Sequence, residues 1–177
     1  AAREVAAAID GEAWEVDLSD TDALDGTRIT TDILINNAGI QRIHAVEEFP
    51  LDDWRLINRL MLESPFVLTK AVLPGMYERG WGRIVNVSSV HGLRASAFKS
   101  AYVAAKHGLM GLTKTTALEG GPKGVTCNAI NPGYVMTPLV EQQIADQART
   151  RNISEDEVLD QVFLGHSAVK RLATEEE

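Results

Sequence analysis

The stretch Gly82–Gly133, GRIVNVSSVHGLRASAFKSAYVAAKHGLMGLTKTTALEGGPKGVTCNAINPG, holds two apolar runs separated by a long segment of small, helix-forming residues. The first run, GRIVNVSS, is rich in Val and Ile, which suits a parallel strand buried on both faces. The middle segment, SAFKSAYVAAKHGLMGLTKTTALEGG, predicts a long helix closed by glycines. The second run, GVTCNAINPG, predicts a strand ending in a Pro-Gly turn. Strand, helix and strand at this spacing make one βαβ unit with a right-handed crossover.

Working outward, the same alternation continues toward the N-terminus. LDDWRLINRLMLESPFVLTKAVLPGMYERG, from Leu51 to Gly80, predicts a second long helix interrupted at Pro65. DILINNAG before it predicts a strand ending in polar residues and glycine. EAWEVDL predicts a further short strand, followed by the turn-rich SDTDALDGTRITT. The segment from Tyr134 to Gln161 is polar and predicts helix without strand. The expected architecture is an α/β fold: a Rossmann-like, doubly wound parallel sheet with helices on both faces, in one domain spanning 1–177. Ligands bind such sheets at the carboxyl ends of the strands. Polar residues gather at those ends here: Asn36 and Asn37, Ser88 and Ser89, Asn131 and Gly133.

Bulk properties narrow the function. The 177 residues are 45% hydrophobic and 24% charged, the composition of an ordinary globular domain. A net charge of −8 speaks against a nucleic-acid surface or a polybasic membrane anchor. The single cysteine, Cys127, cannot form an internal disulfide and has no companions for a metal cluster. No apolar run approaches the roughly 18 residues of a membrane span, and no secretory leader is visible. A cytoplasmic protein is expected. The chain lacks an initiator Met and opens inside an Ala-rich helix. It closes where Thr174 and Glu177 have capping-box spacing, so it is expected to be part of a longer protein, truncated at both ends.

Within the middle helix, Tyr102 and Lys106 stand four residues apart and therefore on one helical face. Taken alone, such a pair reads as an aromatic ring packing on an aliphatic stem. It also suits a phenol whose pKa is lowered by a neighbouring cation, able to exchange a proton near neutral pH. Ser89 ends the preceding strand thirteen residues before Tyr102, completing Ser-x12-Tyr-x3-Lys.

With NNAG (Asn36–Gly39), RIVNVSS (Arg83–Ser89), YVAAK (Tyr102–Lys106) and NPGYVMTP (Asn131–Pro138) in order over about a hundred residues, the chain resembles the short-chain dehydrogenase/reductase family. The resemblance implies Tyr102 as general acid/base for the substrate oxygen and Ser89 as a hydrogen-bond partner of that oxygen. Lys106 would lower the tyrosine pKa and hold the nicotinamide ribose. It implies an NAD cofactor, with NADP as the alternative. The glycine-rich turn and the residue that separates NAD from NADP belong before Ala1 in the family's pattern. Cofactor-binding positions implied inside the chain are Asp17 at the adenine, Asn37, Ala38 and Gly39 along the adenosine, Tyr102 and Lys106, and Pro132, Gly133, Val135 and Thr137. The stretch from Asp17 to Asn36 is shorter than the family's usual helix there. One position departs from the pattern: Met61 stands where the family commonly has an asparagine that relays protons, and Asn58 lies one turn earlier.

NNAGIQ, SSVHGLRASAFKSAYVAAKHG and NPGYVMTPLVEQQI further resemble the 3-hydroxybutyrate dehydrogenase branch. That implies a substrate pocket of Gln41, His91, Lys99, Tyr134 and Gln143 for the carboxylate of a small hydroxy acid, no metal, and a lid over 139–165. The implied reaction is NAD-dependent oxidation of (R)-3-hydroxybutyrate to acetoacetate, in ketone body metabolism, by a homotetramer built partly on the two long helices. Two other readings compete: an NADPH-dependent 3-oxoacyl-thioester reductase, and a catalytically silent relative that binds the nucleotide as sensor or scaffold. The carboxylate cluster speaks against the first, because an acyl-carrier substrate has no free carboxylate.

Overall fold

The two apolar runs pair directly. In the computed structural model, which describes residues 2–165, 167–174 and 176, strands β1 (Ile33–Asn36), β2 (Gly82–Val87) and β3 (Val125–Ile130) form a parallel sheet in the order β1-β2-β3. Ile33 lies opposite Arg83, and Ile84 opposite Cys127. The helices are α1 (Ala2–Ala8), α2 (Thr21–Leu24), α3 (Leu51–Asn58), α4 (Ser64–Arg79), α5 (Ser100–Gly120), α6 (Pro138–Arg151) and α7 (Glu155–Glu157). The interruption expected at Pro65 is a π-helical turn over Arg59–Glu63, which joins α3 to α4. Helix α5 starts at Ser100, later than the apolar pattern alone suggests.

Val72 and Met76 of α4 close over Ile84 of β2 and Val125 and Cys127 of β3, with Ala117 of α5 beside them. Gly82 is required by this packing, since a Cβ there would fall 2.4 Å from the Met76 sulfur. Gly124 turns the chain into β3 at φ +78°, with its Cα face against the Gly80 carbonyl. A second cluster, Ile57, Met61, Ala101 and Ala105, joins α3 and the π turn to α5. A third belongs to the segment after β3: Val140 and Ile144 of α6 pack on Val158 and Phe163 of a second π turn, Val158–Phe163.

The parallel α/β architecture matches the expectation, but two details differ. Among the described residues the helices cover one face only, and Ile33 and Ile35 on the other face are 53% and 61% exposed. The topology explains this. Two successive right-handed crossovers that step the same way across a sheet put both helices on one side; covering the second side requires the strand order to reverse. EAWEVDL, expected as a strand, pairs with no strand among the described residues and is exposed as far as Asp17. A strand exists only through its ladder partner, and β1 pairs on its β2 side alone. The capping-box position Glu177 lies outside the described residues.

Candidate functional site

The carboxyl ends of β2 and β3 open into a cavity of about 470 Å³. Its walls come from the β1–α3 connection (Asn37, Ala38, Gly39), the end of β2 (Ser88, Ser89), the start of α5 (Tyr102, Lys106) and the segment after β3 (Pro132 to Val135, Thr137). A buried polar chain fixes this rim to the sheet. Asn36 Nδ2 donates to Asn86 Oδ1 and Asn86 Nδ2 to Thr113 Oγ1, both at 2.8 Å. Asn36 thus serves the frame, one residue before the exposed Asn37 that faces the cavity.

Ser89 Oγ accepts from the His91 backbone N–H at 3.1 Å and lies 3.3 Å from His91 Nδ1. The same hydroxyl is placed to favour the ionised form of the Tyr102 phenol. Lys106 Nζ donates to the Val87 carbonyl at 2.6 Å and sits 5.6 Å from the centre of the Tyr102 ring. Burial raises the Tyr102 pKa while the Ser89 hydrogen bond lowers it. The lowered phenol expected from the sequence is therefore not the state of this structure: desolvation disfavours the phenolate more than the hydrogen bond favours it. Burial brings the Lys106 ammonium down to about 8.

A second group converges from the far wall. Lys99 is 1% exposed, and its ammonium donates to Gln143 Oε1 of α6 at 2.8 Å. It lies 5.6 Å from the ring centres of Tyr134 and Phe163. Burial, with the charge of Arg151 adding to it, lowers its pKa to about 8. His91 stands edge-on to Tyr102 and Tyr134, and its Nε2 is 2.9 Å from Ser96 Oγ. Burial and the neighbouring Lys99 hold its pKa near 4, so the imidazole is neutral at physiological pH.

Of the positions expected from the sequence, Ser89, Tyr102, Lys106, His91, Lys99, Tyr134 and Gln143 share this cavity, as do Asn37, Ala38, Gly39, Pro132, Gly133, Val135 and Thr137. Two do not. Gln41 is buried outside the lining of the cavity, with neither side-chain polar atom hydrogen-bonded. Asp17 is exposed and accepts from Ser19 Oγ at 2.7 Å, a local turn interaction that also lowers its pKa. Met61 does line the cavity, whereas Asn58 donates to the Trp54 carbonyl within its own helix. Phe163, which carries no signal in the sequence, backs Tyr134 from behind the cavity wall, with ring centres 4.3 Å apart. Among the described residues no group of His, Cys, Asp and Glu side chains is arranged to hold a metal ion, and no helix is long and apolar enough to cross a membrane.

This arrangement places a hydroxyl, a phenol and an ammonium together in one cavity, with a second buried ammonium bonded to an amide, and an imidazole between the two sets. The first set suits proton exchange at an oxygen, the second suits holding an anion. The family model for short chain dehydrogenases matches residues 4–148.

The chain belongs to the short-chain dehydrogenase family. It is 55% identical over 146 residues to D-beta-hydroxybutyrate dehydrogenase of Rhizobium meliloti (strain 1021), and 49% identical over 146 residues to the protein of that name in Cupriavidus necator. Each match takes in 82% of this chain and 57% of the relative, so the chain spans little more than half the length of these curated relatives. Among solved structures it resembles an NAD(P)-dependent gluconate 5-dehydrogenase described from Beutenbergia cavernae, with bound NADP at low occupancy. That match has 31% identity and a TM-score of 0.78, and covers 98% of this chain and 68% of the other.

Proposed function

We propose that this short-chain dehydrogenase oxidises a small 3-hydroxy acid, (R)-3-hydroxybutyrate, to acetoacetate with NAD. The observation that carries the reading is Lys99, an ammonium buried in the cavity that holds Ser89 and Tyr102 and bonded there to a neutral amide. A buried cation without a carboxylate of its own suits one supplied by a ligand.

The residues present fit a nicotinamide dinucleotide. Asn37 and Ala38 line both the main cavity and a smaller hollow of about 130 Å³ with Leu18, Ile35 and Leu60, so the two adjoin at this connection. Thr137 caps α6 at the cavity rim, where its hydroxyl and the positive end of the helix favour a phosphate. Asn37 to Gly39, Pro132, Gly133, Val135 and Thr137 would hold the cofactor, and Lys106 keeps two ammonium hydrogens for its ribose. When bound, the dinucleotide supplies the hydride acceptor.

Tyr102, as phenolate, takes the hydroxyl proton at its phenolic oxygen while Ser89 donates a hydrogen bond to the same substrate oxygen. Burial favours the neutral phenol, the form that protonates a ketone, so oxidation speeds up as rising pH ionises it. Lys106 assists that ionisation through space. Lys99, Gln143 and His91 hold the carboxylate, Tyr134 covers it, and the 139–165 segment with its own apolar cluster acts as the lid. Phe66 on α4 and Leu118 on α5 are exposed apolar side chains on the two long helices, which supports a homotetramer built there. We place the enzyme in the cytoplasm.

The test is NAD reduction by the full-length protein with (R)-3-hydroxybutyrate, followed by absorbance. Turnover that is lost in Tyr102→Phe supports the reading. Silence with this acid but reduction of a 3-oxoacyl thioester with NADPH would replace the substrate. Nucleotide binding without turnover on any hydroxy acid would mean a sensor.

A further inference from the structure

Lys99 follows a corner that ordinary backbone preferences oppose. Phe98 has φ +67°, a region that bulky side chains adopt only when their surroundings hold them there. Two contacts do so. The His44 backbone N–H donates to the Phe98 carbonyl at 3.1 Å, and the Arg151 guanidinium lies 5.0 Å over the Phe98 ring. Arg151 is in turn anchored along its own helix, its Nε donating to Gln147 Oε1 at 2.6 Å. Gln147 is fully buried. Gln143, Gln147 and Arg151 therefore form one stripe of α6, four residues apart. The first holds the Lys99 ammonium, and the last holds the ring next to it in the chain.

The charges are arranged as unusually as the backbone. Lys99 and Arg151 are neighbouring cations, and among the described residues neither forms an ion pair. Arg151 does not line the cavity, so it acts from behind the wall, where its charge is felt by both Lys99 and Tyr134.

We propose that Arg151, clamped between Phe98 and Gln147, is a positioning residue for Lys99: it locks the 98–99 corner to α6 and adds a second positive charge behind the ammonium that receives the substrate carboxylate. The inference rests on the reading of Lys99 as the carboxylate's cation, and it makes α6 carry part of the substrate's affinity. The other titratable groups around Lys99 are His91 after β2, Tyr134 after β3 and Tyr102 on α5. Arg151 stands beside these as a fixed charge. Its removal allows Lys99 to keep its proton to higher pH, while weakening the attraction for an anion at neutral pH.

The experiment compares full-length wild type with Arg151→Gln, Arg151→Lys and Gln147→Met in two readouts. The first follows the Lys99 ammonium by NMR on protein with isotope-labelled lysine, with Lys99→Met assigning the signal. The second is KM and kcat for (R)-3-hydroxybutyrate across pH. In Arg151→Gln the Lys99 midpoint rises by about half to one pH unit. KM near neutrality rises roughly three- to tenfold with kcat little changed, about the effect of one flanking charge at several ångströms. Arg151→Lys keeps the midpoint close to wild type, and Gln147→Met moves it up by less than Arg151→Gln does. A midpoint that stays in place in both Arg151→Gln and Gln147→Met overturns the inference, as does a fall in kcat with KM unchanged. The NMR arm needs no turnover. A wild type silent with this acid, but with a Lys99 midpoint that Arg151→Gln raises, would sink the substrate reading and leave the electrostatic coupling standing.

Discussion

The core under the sheet and the charged walls of the cavity are buried to the same depth and are opposite in chemistry. Val72, Met76, Ile84 and Val125 are wholly inaccessible and wholly apolar. Lys99, Lys106 and His91 are 1%, 4% and 4% exposed, and burial lowers the pKa of each. Removing apolar groups from water drives folding; removing charges opposes it. The first region therefore accounts for why the chain folds. The second persists despite the fold's preferences, which is the usual mark of groups held in place for chemistry.

The largest expected effect separates the two regions by function. Tyr102→Phe removes one oxygen beside Ser89 and leaves packing almost unchanged. We expect kcat to fall by roughly a thousandfold, in the range of lost acid–base catalysis, with a melting temperature near that of wild type. Met76→Ala in the core should do the reverse. It empties space between Val72, Ile84 and Gly82 and should lower unfolding stability by about 2 to 5 kcal/mol in denaturant titrations. Activity per folded molecule should be retained. Equal losses of activity and stability in both variants would erase the distinction.

How far each region could be read from the sequence follows the same division. GRIVNVSS and GVTCNAINPG announce their strands because burial on a parallel sheet selects continuous Val and Ile, a local signal. Tyr102 and Lys106 are legible because helical spacing alone brings them together. Lys99 and Gln143 lie 44 residues apart in sequence and meet only through the path of the segment after β3. Their pairing was approached through family resemblance, and no spacing rule contains it. EAWEVDL failed for a related reason: its alternation is real, but a strand also needs a neighbour. Gln41 lies outside the lining of the cavity, and nothing local to NNAGIQ says on which side of the wall its side chain is buried. The four-residue spacing of Gln143, Gln147 and Arg151 was available in the sequence, though nothing there says that the stripe faces Phe98 and Lys99.

The buried charge yields a prediction opposite in sign to that for Met76. The folded-state pKa of Lys99, about 8, lies below its ordinary 10.5. The folded protein therefore binds fewer protons than the unfolded chain between these values, and stability rises with pH across that window. Below pH 8 the ammonium weakens the fold in full. Lys99→Met should accordingly raise unfolding stability near neutral pH, by at most about 3 kcal/mol, an advantage that disappears as pH passes 10.5. It should also abolish measurable affinity for the hydroxy acid. A variant destabilised at pH 7 would mean that the Lys99–Gln143 hydrogen bond outweighs desolvation.

The smallest effect separates two helices of the segment after β3, proposed above as a lid. Thr137 caps α6, its hydroxyl accepting from the Val140 N–H at 3.4 Å, and it faces the cavity. Ser154 caps α7 through a complete capping box with Glu157 and lies away from the cavity. Replacing either with Ala removes a cap of about 1 kcal/mol, too little to unfold the protein but enough to favour local opening. Hydrogen exchange should quicken in α6 for Thr137→Ala and in α7 for Ser154→Ala, with the amides of β2 unchanged in both. Only Thr137→Ala should raise KM for the dinucleotide, because it alone removes a hydroxyl from the cavity rim as well as loosening the helix there. Thr137→Ser, which keeps the hydroxyl, should restore both exchange protection and KM. If Ser154→Ala raised KM as much, lid stability rather than contact at the rim would set cofactor affinity, and α6 and α7 would have to be treated as one cooperative unit.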